Sequence, residues 1–258
     1  MTRAGIRRCH REPCRSPLAV LRQESLNGVL WLTLDRPERL NAFTVSDYRS
    51  LTAAMAAAGD DDATRVVILT GTGRAFSAGA DRSLFTERLD ATESRQVQED
   101  FRSKLIALGE CDKPVIAAVN GLAVGLGATI LLHCDLVILS ASARLRFPFT
   151  ELGLAPEAAS SVLLPARVGW SEAAWLLLSG EWIDAERARD IGLAWRVVPD
   201  DEFAAAVAET GTTLATLDPA SVGATKRLLQ HGRRDLVDAA LDREGAAMRA
   251  LRAPRARD

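Results

Sequence analysis

The sequence predicts an α/β fold, because short runs with buried-strand character alternate with helical patterns along most of the chain. Two further observations support this class. Glycine- or proline-containing turns follow the apolar runs, and the segment after Asp200 contains helical patterns but no strand-like run. We therefore expect a layered or spiral α/β core followed by a helical C-terminal portion.

Four segments have the composition of buried strands. They are rich in valine, isoleucine and leucine and comprise residues 29–34, 66–70, 115–119 and 136–139. A turn sequence, residues 35–38, ends the first run, and Gly71 and Gly73 follow the second.

Helix signals mark the segments between and after these strands. Thr44 and Asp47 form a predicted capping box. A polar segment, residues 92–104, is expected to lead into an amphipathic helix that ends near Leu108. Ser171 is the predicted N-cap of a helix that Gly180 terminates. The last helices are predicted at residues 203–217, 221–231 and 236–251.

Composition and charge narrow the classes of function. The chain has 258 residues, of which 48% are hydrophobic and 26% charged, and a formal net charge of −2. Such a balance does not indicate binding to nucleic acid or to an anionic membrane surface. Asn120, His133 and Asp135 interrupt the longest apolar stretch, residues 115–139, so a membrane span is not expected there.

The four cysteines indicate neither a disulfide framework nor a metal centre. Cys9, His10 and Cys14 lie close together, but three candidate ligands in an arginine-rich segment are better explained as part of a tail. We expect no metal, and the absence of a disulfide pattern favours a cytoplasmic protein.

Three regions follow from these patterns. Residues 1–16 contain five arginines and too few apolar side chains to pack, so they are predicted to form a disordered extension, with an organellar presequence as the alternative. Residues 17–197 form the predicted core domain. Residues 198–258 form the predicted helical C-terminal region.

The loop after the second strand, residues 74–81, is almost free of bulky side chains after Phe76. Small residues let a ligand approach the backbone closely, and Gly79 permits backbone angles that other residues avoid. A plain tight turn explains this loop equally well.

A second plain loop, residues 120–127, follows the third strand and opens an apolar helix. The N–H groups near Leu126 and Gly127 would lie at the positive end of that helix. The glycine patterns of dinucleotide and P-loop phosphate sites are both absent. The alternative is an oxyanion hole, in which two backbone N–H groups from separate loops hold one developing negative oxygen.

At these loops the sequence resembles the crotonase (enoyl-CoA hydratase/isomerase) superfamily. The resemblance extends from about residue 18 to residue 252 and is specific only when its motifs are taken together. The matching segments are LDRPERLNA (34–42), GTGRAFSAGAD (71–81), KPVIAAVNG (113–121), AVG (123–125), CD (134–135), PE (156–157) and LSG (178–180).

The resemblance implies a crotonase-like spiral of ββα units with a helical C-terminal trimerisation region, assembled as a homotrimer or a dimer of trimers. It implies an acyl-CoA substrate, with coenzyme A as part of that substrate and no other cofactor. By this likeness Ala80 and Leu126 supply the oxyanion N–H groups. The other residues expected around the substrate are Arg39, Leu40, Ala42, Ala78, Gly79, Asp81, Gly125, Gly127, Thr129 and Phe149.

The acid and base of the reaction require separate identification. Enoyl-CoA hydratases use two glutamates, and the positions that resemble them here are Thr129 and Phe149. A phenylalanine cannot handle a proton, and a threonine does so poorly near neutral pH. Ordinary hydration is therefore disfavoured.

Glu157 is the predicted catalytic carboxylate, as in isomerase members whose single acid occupies this segment. Apolar surroundings would raise its pKa toward the working range. A helix-start carboxylate is the structural alternative. Glu151 is interpreted as a surface or ion-pair residue, His133 as a core or interface residue, and Asp81 as a loop-stabilising residue. The tryptophans are expected in the core or at subunit contacts.

Three hypotheses remain open for the function. The favoured one is isomerisation of 3-enoyl-CoA to 2-enoyl-CoA through Glu157. The second is a hydratase-like enzyme or an acyl-CoA hydrolase in which Glu157 activates water. The third is an acyl-CoA binding subunit without catalytic activity.

Overall fold

The computed structural model of the protein describes residues 21–86 and 90–252. The strands in these ranges are β1 (Leu21–Leu26), β2 (Val29–Leu34), β3 (Val66–Gly71), β4 (Ala75–Ser77), β5 (Val115–Val119), β6 (Leu122–Val124), β7 (Leu136–Ser140), β8 (Arg144–Arg146), β9 (Ile183–Asp184) and β10 (Arg196–Val198). The predicted extension, residues 1–16, lies outside the described residues, together with Cys9, His10 and Cys14.

The helices surround these strands. They are α1 (Val45–Asp60), α2 (Ser83–Thr86), α3 (Ala91–Gly109), α4 (Leu126–Thr129), α5 (Ser160–Val168), α6 (Trp170–Ser179), α7 (Ala185–Asp190), α8 (Phe203–Ala215), α9 (Pro219–Gln230) and α10 (Arg233–Arg252). Short 3-10 helices cover Pro37–Arg39 and Ile130–His133.

The larger sheet has the strand order β1-β2-β3-β5-β7-β10. Its neighbouring strands are parallel except for the β1–β2 hairpin. Asn27 and Gly28 close that hairpin with positive φ angles of 51° and 80°, as a tight type I′ turn requires. The four strand runs predicted from the sequence are the central strands β2, β3, β5 and β7.

A smaller sheet, β4-β6-β8-β9, lies beside the first. The long strands β3, β5 and β7 are each followed directly by a short strand of this second sheet, and helices follow that strand. This repetition is the spiral of ββα units that the sequence resemblance implied, and the predicted fold class is confirmed. The helical C-terminal portion is α8 to α10.

Both faces of the larger sheet are buried, which explains its nearly continuous apolar strands. On β3, Val67 and Leu69 face the main core, whereas Val66 and Ile68 face a second cluster. Helix α8 covers that second face. A Cβ atom at Gly211 of α8 would lie 2.9 Å from Ile68 Cδ1, so the helix and the strand pack closely.

The helix starts at Thr44 and Asp90 are set by capping boxes. The Asp47 N–H donates to Thr44 Oγ1 at 3.3 Å, and the Thr44 N–H donates to Asp47 Oδ2 at 2.7 Å, as predicted. Asp90 caps α3 together with Glu93. The polar segment predicted at 92–104 is therefore helical throughout, because its cap lies at Asp90, before the polar residues begin.

The predicted N-cap at Ser171 is wrong. Gly169, with φ 82° and ψ 163°, is the residue that ends α5 and begins α6, so Ser171 lies inside the first turn. A glycine can supply this sharp change of direction without steric strain, whereas a serine cannot. The predicted stop at Gly180 is confirmed, because it caps α6 in the left-handed conformation.

Of the two locations expected for the tryptophans, the core does not hold for most of them, and subunit contact stays a prediction. Trp170 is 78% exposed, and Trp175, Trp182 and Trp195 are exposed as well. Their surroundings in the described residues are surface helices and loops, and the core is filled by aliphatic side chains and phenylalanines instead. None of the described helices combines the length and the apolar character needed to cross a membrane.

Candidate active site

The two plain loops are brought together by the pairing of β4 with β6. Ala75 pairs with Leu122 and Ser77 with Ala123, in parallel register. The residues that follow these strands therefore leave the sheet side by side. A Cβ atom at Gly127 would lie 2.2 Å from the Ser77 carbonyl oxygen, so a glycine is needed for this contact.

Gly79 makes the closest approach between the loops. Its φ is 94°, and a Cβ atom there would lie 2.6 Å from Val124 O and 3.3 Å from Leu126 N. Any larger residue would push the second loop away and would also adopt a strained backbone conformation. The short distance places the first loop directly against the start of α4.

The backbone donors around this contact are almost all engaged. The Asp81 N–H donates to Phe43 O at 2.8 Å, the Gly79 N–H to Ser77 Oγ at 3.1 Å, and the Gly125 N–H to Arg146 O at 3.0 Å. Within the described ranges, neither the Ala80 N–H nor the Leu126 N–H donates a hydrogen bond to a protein acceptor. These two N–H groups are thus available to an added acceptor.

A third segment, residues 39–42, lies along the first loop. The Ala78 N–H donates to Leu40 O at 2.8 Å, and the Phe43 N–H donates to Gly79 O at 2.7 Å. Leu40 and Asn41 have positive φ angles of 51° and 54°, so the chain turns sharply here. The fold thus places Arg39, Leu40 and Ala42 beside Ala78 and Gly79, which the sequence had grouped only by resemblance.

Asn41 and Asp81 hold these segments in place. The buried Asn41 amide donates to Thr72 O at 2.9 Å and to Ala75 O at 2.8 Å. Asp81 forms an ion pair with Arg36 at 2.5 Å. Desolvation opposes ionisation of Asp81, but hydrogen bonds from Ser83 and Arg36 outweigh it and lower the pKa of this carboxyl. These bonds agree with a loop-stabilising role.

Neither position that resembles a hydratase glutamate carries a carboxylate. Thr129 lies on α4, fully buried, and its hydroxyl is 3.4 Å from Leu126 O. Phe149 follows β8 and is 4% exposed. Both side chains are therefore enclosed by protein.

Glu157 lies in the turn that precedes α5 and is half-buried. The helix begins only at Ser160. Glu157 therefore lies three residues before the first helical residue and not in the first turn, where the helix-start interpretation placed it. Ala158 and Ala159 have positive φ angles of 60° and 56°. Two consecutive left-handed residues with side chains are unusual, and such strain persists only where surrounding contacts enforce it.

Two buried side chains from other parts of the chain hold this turn. His133 Nε2 donates to Ala158 O at 2.8 Å. Glu244 of α10 accepts from the Ala159 N–H at 2.7 Å and the Ser161 N–H at 2.8 Å. Burial lowers the pKa of His133 to about 3 and raises that of Glu244. The core location predicted for His133 is confirmed.

The charges around the turn act on one buried tyrosine. Burial is the main cause that raises the pKa of Tyr48, followed by the charges of Glu157, Asp47 and Asp81. Carboxylates from the turn, from α1 and from the first loop thus act on the same buried side chain. Glu151, by contrast, is exposed and ion-paired with Arg146, as predicted.

Sequence reasoning missed Lys104, which belongs to the same environment. It is fully buried, and its Nζ lies 3.6 Å from the ring centroids of both Tyr48 and Phe101. A signal was present, because Lys104 lies on the stripe of α3 that includes Phe101, Leu105 and Leu108. The prediction of a polar segment at residues 92–104 overlooked that its last residue, Lys104, lies on the apolar face of α3.

No three His, Cys, Asp or Glu side chains come together to hold a metal ion in the part of the chain that the structure describes. Cys111 and Cys134 are separate buried thiols. Burial raises the pKa of Cys134 to about 12, so this thiol is not a nucleophile at neutral pH.

A spiral of ββα units whose second-sheet strands end in two adjoining glycine loops defines the crotonase class of fold. Residues 24–252 match the family model described as enoyl-CoA hydratase/isomerase. The chain belongs to this family and is an acyl-CoA enzyme of the enoyl-CoA hydratase/isomerase type.

Known relatives of this chain include both isomerases and hydratases. The chain is 36% identical to the 1,2-epoxyphenylacetyl-CoA isomerase of Escherichia coli K12, over 84% of each protein. It is 40% identical to a probable enoyl-CoA hydratase of Rhodobacter capsulatus, over 71% of this chain and 70% of the relative. The crystal structure of an enoyl-CoA hydratase/isomerase from Pseudoalteromonas atlantica T6c superposes with a TM-score of 0.84 at 39% identity, covering 92% of both chains.

Proposed function

We propose that the protein is an enoyl-CoA isomerase that converts 3-enoyl-CoA to 2-enoyl-CoA through the single carboxylate Glu157. The main observation behind this proposal is that Thr129 and Phe149 occupy the two positions that resemble the hydratase glutamates. Where a hydratase needs two carboxylates to activate and deliver water, this chain has a buried hydroxyl and a buried phenyl ring.

The proposed reaction moves one proton and adds nothing. The Glu157 carboxylate removes a proton from C2, and the electron pair of that C–H bond passes through the thioester to its oxygen. The resulting dienolate oxygen accepts hydrogen bonds from the Ala80 and Leu126 N–H groups. Glu157 then returns the proton to C4 as the electrons leave the oxygen, so that the double bond lies between C2 and C3.

The neighbouring carboxylates are less suited to this role. Asp47 is held in the capping box of α1, where one oxygen accepts from the Thr44 N–H at 2.7 Å. Asp81 is held by Arg36. Glu157 instead lies in a turn that is fixed from two sides, which gives a proton-transfer group the defined position it needs.

We propose that the protein recognises its substrate through the coenzyme A moiety. Residues 39–42 and 78–81 form a shared edge that includes Ala80 and continues along the first loop. We propose that Arg39, Leu40 and Ala42 flank the coenzyme A moiety and that Gly125 and Gly127 allow the thioester to approach. A homotrimer, or a pair of trimers, is the proposed assembly, and no further cofactor is required by the reaction.

A panel of acyl-CoA substrates followed by mass spectrometry tests the reaction. Isomerisation of 3-enoyl-CoA leaves the mass unchanged, hydration adds one water, and hydrolysis releases free coenzyme A. We expect Glu157→Gln to lower kcat for isomerisation by about 10³-fold. Glu151→Gln, a matched change at an exposed glutamate, should leave kcat unchanged.

The remaining outcomes separate the alternatives. Water gain or coenzyme A release that depends on Glu157 would assign the chemistry to a hydratase or a hydrolase. Tight binding without turnover of any substrate, unaffected by Glu157→Gln, would identify a binding subunit. Either result would contradict the proposal.

A further inference from the structure

A partly buried arginine supports the first proposed oxyanion donor, and the mechanism above assigns it no role. Arg36 lies in the turn after β2, and its side chain is 21% exposed. Its Nη2 donates to Ala42 O at 2.9 Å and to Asp81 Oδ2 at 2.5 Å. One of these acceptors belongs to the segment 39–42, and the other lies at the end of the first loop.

A chain of hydrogen bonds connects this guanidinium to the Ala80 N–H. The Ala42 carbonyl, which accepts from Arg36, belongs to the same peptide group as the Phe43 N–H. That N–H donates to Gly79 O at 2.7 Å, and the Gly79 carbonyl belongs to the same peptide group as the Ala80 N–H. The C=O and N–H of a trans peptide point in opposite directions, so each bond fixes the direction of the next donor. The Ala80 N–H is thus the last donor of a chain that begins at the guanidinium.

The far side of Ala80 is held as well. The Asp81 N–H donates to Phe43 O at 2.8 Å, so Phe43 brackets Ala80 from both sides. Both carboxylate oxygens of Asp81 are engaged, Oδ2 by Arg36 and Oδ1 by the Ser83 N–H at 3.1 Å. The ion pair therefore keeps the guanidinium at the carbonyl that starts the chain.

Packing alone does not account for an arginine at this position. Its Nε is buried and has no hydrogen-bond acceptor among the described residues. Buried donors without an acceptor are rare because they lose their bonds to water. An apolar side chain of similar length would avoid this loss, and it would also avoid the desolvation of a charge.

We propose that Arg36 is a positioning residue that orients and polarises the Ala80 N–H through two peptide groups. This inference rests on the oxyanion hole of the proposed function, and it applies whichever group moves the proton. Each hydrogen bond of a chain polarises the next, and a positive charge at the first acceptor adds to this effect. A stronger donor at Ala80 stabilises the negative oxygen that forms during the reaction.

Infrared spectroscopy of a bound thioester tests the inference. The probe is hexanoyl-CoA labelled with ¹³C at the thioester carbonyl, a saturated compound with no double bond to move. Hydrogen bonds to the carbonyl oxygen lower its stretching frequency, and the difference from the unlabelled compound isolates this band. We expect Arg36→Met to lose about half of the shift, because one of the two donors is weakened.

Two further variants separate the charge of Arg36 from its packing. Arg36→Lys keeps a cation near Ala42 O, whereas Arg36→Gln offers only a neutral amide. We expect Arg36→Lys to retain more of the carbonyl shift than Arg36→Gln, because the charge polarises the chain. The opposite order would overturn the proposal. Should Arg36→Met not fold, Arg36→Gln takes its place, and an unchanged shift in that variant has the same meaning.

A buried lysine outside the site provides the matched control. Lys226 Nζ also joins a carbonyl oxygen, that of Lys113 at 2.7 Å, to a carboxylate, that of Asp135 at 2.6 Å. Lys113 precedes β5, whereas the second loop follows β5, so this cluster lies at the opposite end of the strand. We expect Lys226→Met to lower stability and to keep the full carbonyl shift. An equal loss of the shift in Lys226→Met would show that destabilisation alone disturbs the site, and it would overturn the role of Arg36.

The outcomes separate this inference from the proposed function. If bound hexanoyl-CoA shows no carbonyl shift in the unaltered protein, the proposed oxyanion hole fails, and the role of Arg36 fails with it. If the shift is present and Arg36→Met retains all of it, the oxyanion hole stands and only the role of Arg36 fails.

Discussion

At the scale of single residues, the candidate site depends on two absences in its loops, of bulky side chains and of acceptors for certain N–H groups. Gly79 has no side chain where a Cβ atom would come within 2.6 Å of Val124 O, and Ala80 presents an N–H group that has no acceptor among the described residues. The proposed site requires loops without bulky side chains, because the thioester oxygen of the substrate has to approach the backbone closely. The small residues are therefore part of the proposed chemistry.

We predict that Gly79→Ala lowers kcat by about 10²-fold or more, the effect of disturbing one oxyanion donor. The added methyl group would displace the loop that carries Leu126. Gly125→Ala tests backbone strain alone, since φ there is 54° but no atom lies within 4 Å. We expect Gly125→Ala to lower kcat less than Gly79→Ala does.

Gly59→Ala is the control for these variants. Gly59 lies in α1, and a Cβ atom there meets nothing within 4 Å. We expect unchanged kcat and a gain in stability of up to about 1 kcal/mol. Steady-state kinetics and thermal unfolding measure both effects, and equal activity of all three variants would contradict the proposed oxyanion hole.

At the scale of elements, the turn before α5 is shaped by partners distant in sequence. Its two left-handed alanines are stabilised by the ring of His133 and by the carboxylate of Glu244 in α10. The C-terminal helix thus contributes directly to the position of Glu157. A turn of such conformation would not persist in an isolated peptide.

We predict that Glu244→Ala lowers the free energy of unfolding by about 1–3 kcal/mol, because the Ala159 and Ser161 N–H groups lose their acceptor. It should also lower kcat by about 10-fold, because Glu157 is then held less firmly. Glu209→Ala, at an exposed position of α8, should change neither quantity. Loss of stability with full kcat would show that the turn does not position Glu157.

At the scale of the whole molecule, acid stability follows from one buried histidine. The pKa of His133 falls from 6.5 to about 3 in the folded chain because burial disfavours the cation. Between these values the unfolded chain binds a proton that the folded chain does not. Stability is thus lost as the pH falls through this window, by about 1.4 kcal/mol per pH unit.

We predict that His133→Gln makes stability less dependent on pH in this range, since glutamine does not titrate and can still donate to Ala158 O. Urea unfolding at pH 7.5 and pH 5 measures the difference. His231→Gln removes an exposed histidine and should leave the pH dependence of the unaltered protein. An equally steep loss in His133→Gln would contradict this prediction.

The exposed apolar side chains also belong to this scale. Trp170, Trp175 and Leu178 lie on α6 with exposed fractions of 78%, 58% and 70%. Large exposed apolar side chains concentrated on one short helix are typical of an interaction surface. The predicted trimer would offer them a partner, and that assembly stays a prediction, as does the boundary between residues 197 and 198.

The features that the sequence predicted correctly are local ones. The strand runs, the capping box at Thr44 and the stop at Gly180 each depend on residues within a few positions of one another. The N-cap prediction at Ser171 was wrong because Gly169, two residues earlier, makes the turn between α5 and α6 in a backbone conformation that favours glycine. Composition identified the two loops but left the first one open between a plain turn and a site, and the resemblance then supplied the roles of Ala80 and Leu126.

What the sequence determined by itself is thus the class of fold and the plainness of two loops, since periodicity and turn chemistry act over short distances. Tertiary structure decided which N–H groups lack an acceptor, what holds the turn at Glu157, and where Lys104 points. Glu244 reaches Ala159 across 85 positions of the chain. Contacts between residues so far apart form only when the whole chain folds. No local sequence pattern predicts which residue will be the partner of a buried charge.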